Sequence, residues 1–400
     1  MGTAVSNRLL HDLVRRLRAN VRDDTPELAD SVLEVPASIY RDPEQWDREI
    51  SEIFLSKPML VALTCDIPNP GDYMSYSLAG RPILIVRGDD GRARTFLNVC
   101  RHRAAQVAVD YSGSARRFTC PYHSWSYDRQ GQLVGVPGRA QFGEIEAQGL
   151  IGLPSDERAG AIFAVLTPNS ELDLDVWLDV WLDGMADALA ALRLDTLHPY
   201  RSTSVLKSPN WKLTADGYLD GYHLPYLHKD SIGGKILSNG HAYDIFGPHV
   251  RLSMATRRIE EIDRVPEADW YLPDYLSVVH FVFPNVSISA AHGDTAMLSR
   301  LLPGPTVGES TTIQHQYFRQ PLDAAGMRAA EEKRLAYEKV VREEDYATVF
   351  GIGDSLDSLG EAPILYGRNE LGNQHLHRTV QQMTGANQPE SPVADRSSER

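Results

Sequence analysis

Cys100 and His102 are separated by one residue, and after seventeen intervening residues Cys120 and His123 are separated by two. Each pair offers one thiolate and one imidazole within a single tight turn at a strand end. Two such turns facing each other can hold a cluster of two irons and two sulfides, with both Cys on one iron and both His on the other. Neutral imidazole in place of anionic thiolate makes such a cluster easier to reduce than an all-cysteine one. Arg101 and nearby backbone amides add donors near the sulfurs, which pushes in the same direction. Structural zinc takes the same side chains. Zinc motifs usually group Cys with Cys and His with His, however, whereas here the order alternates.

A second constellation lies in the run from Asn210 to His228, which contains Asp220, His223 and His228. Asp220 and His223 are three apart and share a helix face. His223 and His228 are five apart, about 140° around an ideal helix, so a straight helix could not bring both to one metal. Gly221 and Pro225 fall between or beside them, and proline forces a helix to kink or end. Such a break can swing His228 back towards His223. Two His and one carboxylate on one face of an iron leave positions open for dioxygen. The carboxylate must come from elsewhere, and Asp345, on a late helix beside Glu343 and Glu344, is the candidate. The plainer alternative is that Asp345 belongs with those two residues to a solvated charged face. Glu344, directly adjacent, leaves the choice of acid open.

The elements that must position these residues are α+β. Residues 1–55 read as helical, with Leu9, Leu10, Leu13 and Leu17 and later Trp46, Ile50 and Phe54 near helical spacing. Residues 56–165 alternate short β-prone pieces with turn signals such as Asn69-Pro-Gly-Asp and Asp128-Arg-Gln-Gly, the pattern of a small antiparallel β domain. Residues 166–385 read as a larger domain of sheet and helix. It has a helix over 172–194, built around Val176, Trp177, Val180 and Trp181, strands at 250–257, 277–291 and 311–319, and a long helix over 323–350. The polar tail 386–400 is expected to be disordered.

The segments around Cys100-Arg-His102 and Cys120-Pro-Tyr-His123, continuing to Gly131-Gln-Leu-Val-Gly-Val-Pro137, resemble the Rieske domain of ring-hydroxylating oxygenases. Ala104 and Ser124 stand where that family usually has glycine. The Asp220-x-x-His223-x-x-x-x-His228 run resembles the family's catalytic domain, and the likeness covers about residues 40–385. It implies an antiparallel Rieske domain inserted into a larger helix-grip (START-like) domain with a curved antiparallel sheet. It also implies a [2Fe–2S] cluster on Cys100, His102, Cys120 and His123, and a mononuclear Fe(II) on His223, His228 and Asp345. Asp220 then matches the carboxylate that links the iron site to a Rieske histidine, His102 or His123, of a neighbouring subunit. Asp216-Gly217 replaces the family's usual Glu-Asn. His375 and His377 are expected to be packing or surface residues. The implied protein is the α subunit of an aromatic-ring-hydroxylating dioxygenase. It acts on O2 and a small organic substrate such as an aromatic acid or hydrocarbon, and assembles as a homotrimer with or without a small β subunit. The same machinery can run mono-oxygenation or O- and N-demethylation. A reading of another class is a Rieske electron carrier without catalysis.

Bulk properties narrow the partners. A net charge of −14 disfavours nucleic acid or an anionic membrane. No run of about eighteen apolar residues is present to span a bilayer, and the N-terminus lacks the pattern of a signal peptide, so a cytoplasmic location is expected. Three cysteines, Cys65 among them without an assigned role, do not make a disulfide framework. Gly351-Ile-Gly353 lacks the third glycine of a dinucleotide fingerprint, so electrons are expected from a separate reductase, with or without a ferredoxin. Arg101, Arg103, Arg116 and Arg117 surround the Cys/His turns and could meet an acidic donor.

Overall fold

Strands in the second half of the chain bury both faces, and their packing shows why. A computed structural model describes residues 2–145, 149–168, 171, 173–231, 233–289, 292–360 and 362–385; the tail expected from 386 lies outside them. Seven antiparallel strands form one sheet in the order His198–Ser208, Ser310–Phe318, Thr295–Pro303, Val286–Ser289, Leu276–Val282, His249–Thr256 and Ile236–Phe246. Val279, Phe281 and Leu252 face one way, into a core shared with Trp211, Ala215 and Leu219 of helix Trp211–Leu219 and with Leu376 and Val380 of helix Leu371–Thr384. Val278, Ala255 and Ala242 face the other way, against Leu10, Leu13, Val14 and Leu17 of helix Gly2–Asp23. Towards the opposite edge that second face carries buried Val286, Ile288 and Leu298 together with two polar residues. Arg300 meets Asp66 (3.2 Å) and His315 meets the Tyr111 hydroxyl (3.0 Å), which ties the sheet to the preceding β region.

That β region contains a five-stranded and two three-stranded antiparallel sheets. The turn carrying Cys100 and His102 follows strand Ala93–Leu97. The turn carrying Cys120 and His123 joins Phe118–Thr119 to Ser126–Tyr127, which pair with each other.

Several local expectations need correction. Residues 1–55 are not all helix: strand Leu33–Pro36 pairs with Pro363–Tyr366, a partner too distant in sequence for local periodicity to show. The expected helix over 172–194 is two, Leu174–Leu182 and Met185–Ala191, parted at Asp183 (φ 47°). Its buried face carries Leu174, Leu178, Trp181 and Leu182, and Val176 and Val180 are exposed. The expected strand 277–291 is two strands, Leu276–Val282 and Val286–Ser289. The late helix runs Ala324–Val340, widens into a π turn at Val341–Tyr346 and resumes as Ala347–Ser355.

Candidate metal centres

The two Cys/His turns are built alike. The Cys100 amide donates to the Ala105 carbonyl and the Ala104 amide returns to Cys100, at 2.8 and 3.0 Å. Cys120 with Trp125, and Ser124 with Cys120, repeat the arrangement at 2.8 and 3.0 Å. Closing each turn requires a left-handed residue, Ala104 at φ 59° and Ser124 at φ 58°. These are the two positions where glycine was expected, so the turn keeps its shape and the Cβ sits in a strained conformation. The turns bring the His102 and His123 rings to 4.6 Å between centroids. His102 stacks on Trp125 at 5.1 Å. Tyr127 Oη lies 3.4 Å from Cys100 Sγ and accepts the Arg101 amide at 2.9 Å.

The donor set fits a Rieske cluster. Cys100 and Cys120 are buried free thiols. The Nδ1 atoms of His102 and His123 are shielded from solvent and, among the described residues, have no hydrogen-bond partner. The two ring nitrogens are therefore left without protein partners that would compete for them, and the Cys100 sulfur has the Tyr127 hydroxyl beside it as a hydrogen-bonding neighbour. Cys65, by contrast, sits in the apolar core, where burial pushes its thiol up.

The second centre depends on a helix break. Asn210 caps helix Trp211–Leu219, its side chain accepting from the Lys212 amide at 2.9 Å. The helix ends at Asp220, whose backbone is extended. Asp220 Oδ1 accepts the Tyr222 and His223 amides at 2.6 and 3.3 Å. A new turn, Leu224–Leu227, then starts with Pro225 in its first positions. The proline thus opens the second helix, and the first has already ended. Gly233 seals the fold-back: its amide donates to the His228 carbonyl at 2.9 Å, and a Cβ there would come 1.8 Å from the Leu224 carbonyl oxygen.

The result is a compact set of donors. His223, His228 and Asp345 present ligand atoms all within 4.8 Å of one another. Asp345 Oδ1 lies 3.0 Å from His228 Nε2 and 3.5 Å from His223 Nε2. The remaining nitrogens meet other acids: His223 Nδ1 lies 3.2 Å from Asp220 Oδ2, and His228 Nδ1 lies 2.6 Å from Glu344 Oε2. Ser231 Oγ donates to that same Glu344 oxygen at 2.8 Å. Burial pulls the His223 imidazole down, but the Asp220 and Asp345 carboxylates more than offset it, and its pKa is pushed up to about 9. A pocket that so favours positive charge, with two imidazoles and one carboxylate converging, suits a divalent iron.

On helix Trp211–Leu219, which leads into this centre, is a network that the ligand spacing does not reveal. Asp216 accepts from Tyr40 Oη at 2.6 Å and Tyr366 Oη at 2.9 Å, and lies 3.0 Å from His377 Nε2. One turn earlier Lys212 Nζ contacts Glu49 at 2.7 Å, both fully buried, and Trp211 Nε1 donates to the same carboxylate at 2.8 Å. The available signal was the i, i+4 series Lys212, Asp216, Asp220 along one helix face. His377 is a buried hydrogen-bonded residue, and His375 Nε2 lies 2.9 Å from the Gly247 carbonyl. Arg101, Arg103, Arg116 and Arg117 are all exposed around the Cys/His turns.

Comparison with known proteins identifies the two domains in which these residues lie. The Rieske [2Fe-2S] domain family matches residues 57–153, and the family described as ring hydroxylating alpha subunit (catalytic domain) matches residues 194–386. The chain is 30% identical over 50% of its length to the glycine betaine monooxygenase oxygenase subunit of Chromohalobacter salexigens, covering 44% of that protein. It is 32% identical over 52% of its length to the anthranilate 1,2-dioxygenase large subunit of Burkholderia cepacia, covering 51% of it. It therefore aligns with about half the length of these curated relatives. The fold matches the quaternary ammonium Rieske monooxygenase CntA in complex with L-carnitine, with a TM-score of 0.73 at 21% identity, over 90% of this chain and 97% of that one. It also matches naphthalene 1,2-dioxygenase from Rhodococcus sp., with a TM-score of 0.68 at 20% identity, over 95% and 99%. Carrying a Rieske domain and, further along the same chain, the catalytic domain of a mononuclear iron site, the protein belongs to the Rieske oxygenase alpha-subunit family.

Proposed function

We propose that the chain is the oxygenase component of an O2-dependent system that oxidises an apolar organic substrate beside His223, His228 and Asp345. The observation that carries this reading is the convergence of those three side chains within 4.8 Å at the wall of a large cavity. In this reading Cys100, His102, Cys120 and His123 hold the cluster, and His223, His228 and Asp345 hold the iron. When bound, the cluster supplies single electrons and the iron binds and activates dioxygen.

The chain's own residues supply the setting. Asp220 fixes the orientation of His223 through Nδ1, and Glu344 does the same for His228. Leu252, Met254 and Val279 give the cavity an apolar wall that displaces water from the substrate. Asp220 remains partly exposed, with Tyr222 and Tyr226 exposed beside it. Tyr122, beside His123, is exposed at the edge of the other centre. These faces support docking of one subunit's cluster edge, through His102 or His123, onto Asp220 of the next in a homotrimer. A separate reductase, directly or through a ferredoxin, is proposed to dock near the exposed arginines. Among the described residues no helix is long and apolar enough to cross a membrane, and a cytoplasmic location is proposed.

The test is metal analysis together with single turnover on the full chain. An iron beyond the pair in the cluster, and uptake of labelled oxygen into product, support an oxygenase; the number of labelled atoms separates dioxygenation from mono-oxygenation or demethylation. Iron in the cluster alone would instead indicate an electron carrier.

A further inference from the structure

Gly221, the residue after Asp220, is buried and has an imidazole packed against it. A Cβ built there would come 2.8 Å from Cε1, 3.0 Å from Nε2 and 3.1 Å from Nδ1 of His241. His241 is itself buried, and its Nε2 is shielded and has no partner among the described residues. Burial pulls its pKa down to about 4, so the ring is neutral and brings shape without charge to the space beside Asp220. Asp220 is oriented by the turn that Gly221 begins: Oδ1 accepts the Tyr222 and His223 amides, and Oδ2 faces His223 Nδ1. A shift of the Gly221 peptide therefore moves the carboxylate.

The strand that carries His241 is distorted just before it. Between the pairs Ile236–Thr256 and His241–Met254, strand Ile236–Phe246 advances five residues while its partner advances two. Bulges of this kind re-aim a side chain next to an active site. Gly240 makes room for this one: a Cβ there would meet Ala255 Cβ at 2.5 Å and Val21 Cγ2 at 2.9 Å. Asn239 Nδ2 donates to Asp24 Oδ1 at 2.9 Å, and Asn20 Nδ2 donates to the His241 carbonyl at 3.3 Å. The N-terminal helix thus ties the distorted segment down from outside. Met254, directly opposite His241, lines the cavity, and residues paired in this way share a face of the sheet.

We infer that His241 is a positioning residue for electron transfer. Its ring is the rest on which the Gly221 peptide sits, and through that contact it fixes the Asp220 carboxylate where the neighbouring subunit's cluster edge is proposed to dock. The inference rests on the proposed role of Asp220. It requires no hydrogen bond from the imidazole, only that the ring fill the space under Gly221.

The test is pulse radiolysis of the full chain loaded with both metals, its triad iron first oxidised to the ferric state with ferricyanide. Electrons from the pulse bleach the cluster, and its absorbance recovers as the electron passes on and the iron becomes ferrous; no organic substrate is needed. His241→Ala and Gly221→Ala are each expected to keep the triad iron and the cluster absorbance and to slow the recovery by about tenfold. The double variant is expected to recover faster than either single one, because the added methyl occupies part of the space the ring leaves. Urea unfolding of the same samples is a readout independent of electron flow: Gly221→Ala is expected to lower the midpoint, and adding His241→Ala to restore part of it. In an Asp220→Asn background His241→Ala is expected to have no further effect on recovery, as for two residues acting through one contact. The proposal is overturned if His241→Ala loses the triad iron or recovers as fast as the unaltered chain. It is equally overturned if the double variant is as slow as the slower single one, or if His241→Ala slows Asp220→Asn by its full factor. Fast recovery in Asp220→Asn itself sinks instead the role of Asp220 on which the inference rests.

Discussion

Glu344 and Asp345, consecutive in the chain, contact opposite nitrogens of one imidazole: Glu344 Oε2 lies 2.6 Å from His228 Nδ1, and Asp345 Oδ1 lies 3.0 Å from His228 Nε2. The two acids therefore divide the work. Asp345 faces the point where His223 also converges, and Glu344 holds the ring from behind. Glu344→Gln should weaken iron binding by about tenfold or more, the usual cost of losing such a partner, and Asp345→Ala should abolish it. Iron titration followed alongside the cluster's visible absorbance checks both. Equal losses in the two variants would contradict the division.

His223→Ala should keep the cluster's colour, lose the mononuclear iron and lose turnover. Asp220→Asn should keep both metals. Its effect is on transfer: the cluster should stay reduced after oxygen and substrate are added. Rapid cluster oxidation in that variant, followed by stopped-flow absorbance, would remove the proposed role of Asp220 between subunits.

The buried Lys212–Glu49 pair predicts a large stability effect. Lys212→Met leaves the Glu49 carboxylate buried with only Trp211 and Gln45 as donors, and should cost about 3–5 kcal/mol. Adding Glu49→Gln should recover much of that loss, because no charge is then stranded. Urea unfolding of the single and double variants is the measurement.

Asp216 predicts a pH dependence. Burial alone would raise its pKa, but the bonds to His377, Tyr40 and Tyr366 outweigh burial and hold the carboxyl below its ordinary value. A carboxyl lowered on folding adds stability that is fully present above its unfolded pKa, about 3.9, and is lost as pH falls through the folded value. Unfolding midpoints across the acid range should therefore fall below about pH 4, with a shallower fall in Asp216→Asn. Identical acid limbs would show that the network contributes no such linkage.

Ala104 and Ser124 hold left-handed backbone with a Cβ attached. Ala104→Gly should relieve about 1 kcal/mol of strain, less the entropy glycine loses on folding. Slower bleaching of the cluster on heating is the expected readout.

What could be read from the chain follows from how local each signal is. Cys100, His102, Cys120 and His123 were legible because each pair lies within one turn, and His223 and His228 because Gly221 and Pro225 marked a helix break nearby, although the break falls at Asp220, before His223, and not between the two. Asp345 and Glu344 could not be told apart, since the π turn that aims both at His228 has no signature in hydrophobic periodicity. Strand His198–Ser208 and strand Leu33–Pro36 escaped for a different reason. Their partners, Ser310–Phe318 and Pro363–Tyr366, lie far along the chain. Leu276–Val282 is buried on both faces, one against the helices and one against Gly2–Asp23, so it shows no alternation. The Asp216 network draws on Tyr40, Tyr366 and His377, which only tertiary folding brings together.

The π turn at Val341–Tyr346 also bears on which sequence changes the late helix can survive. Each residue of an α-helix advances about 100° around the axis, so a one-residue deletion there would rotate everything on one side of it by that much. Asp345 would leave the triad, or else Tyr337 and Lys333 would leave the cavity wall. Length in this stretch is therefore under tighter constraint than composition. Homologous chains should vary freely in the exposed residues Glu343 and Arg342, and gaps in their alignments should fall outside this segment.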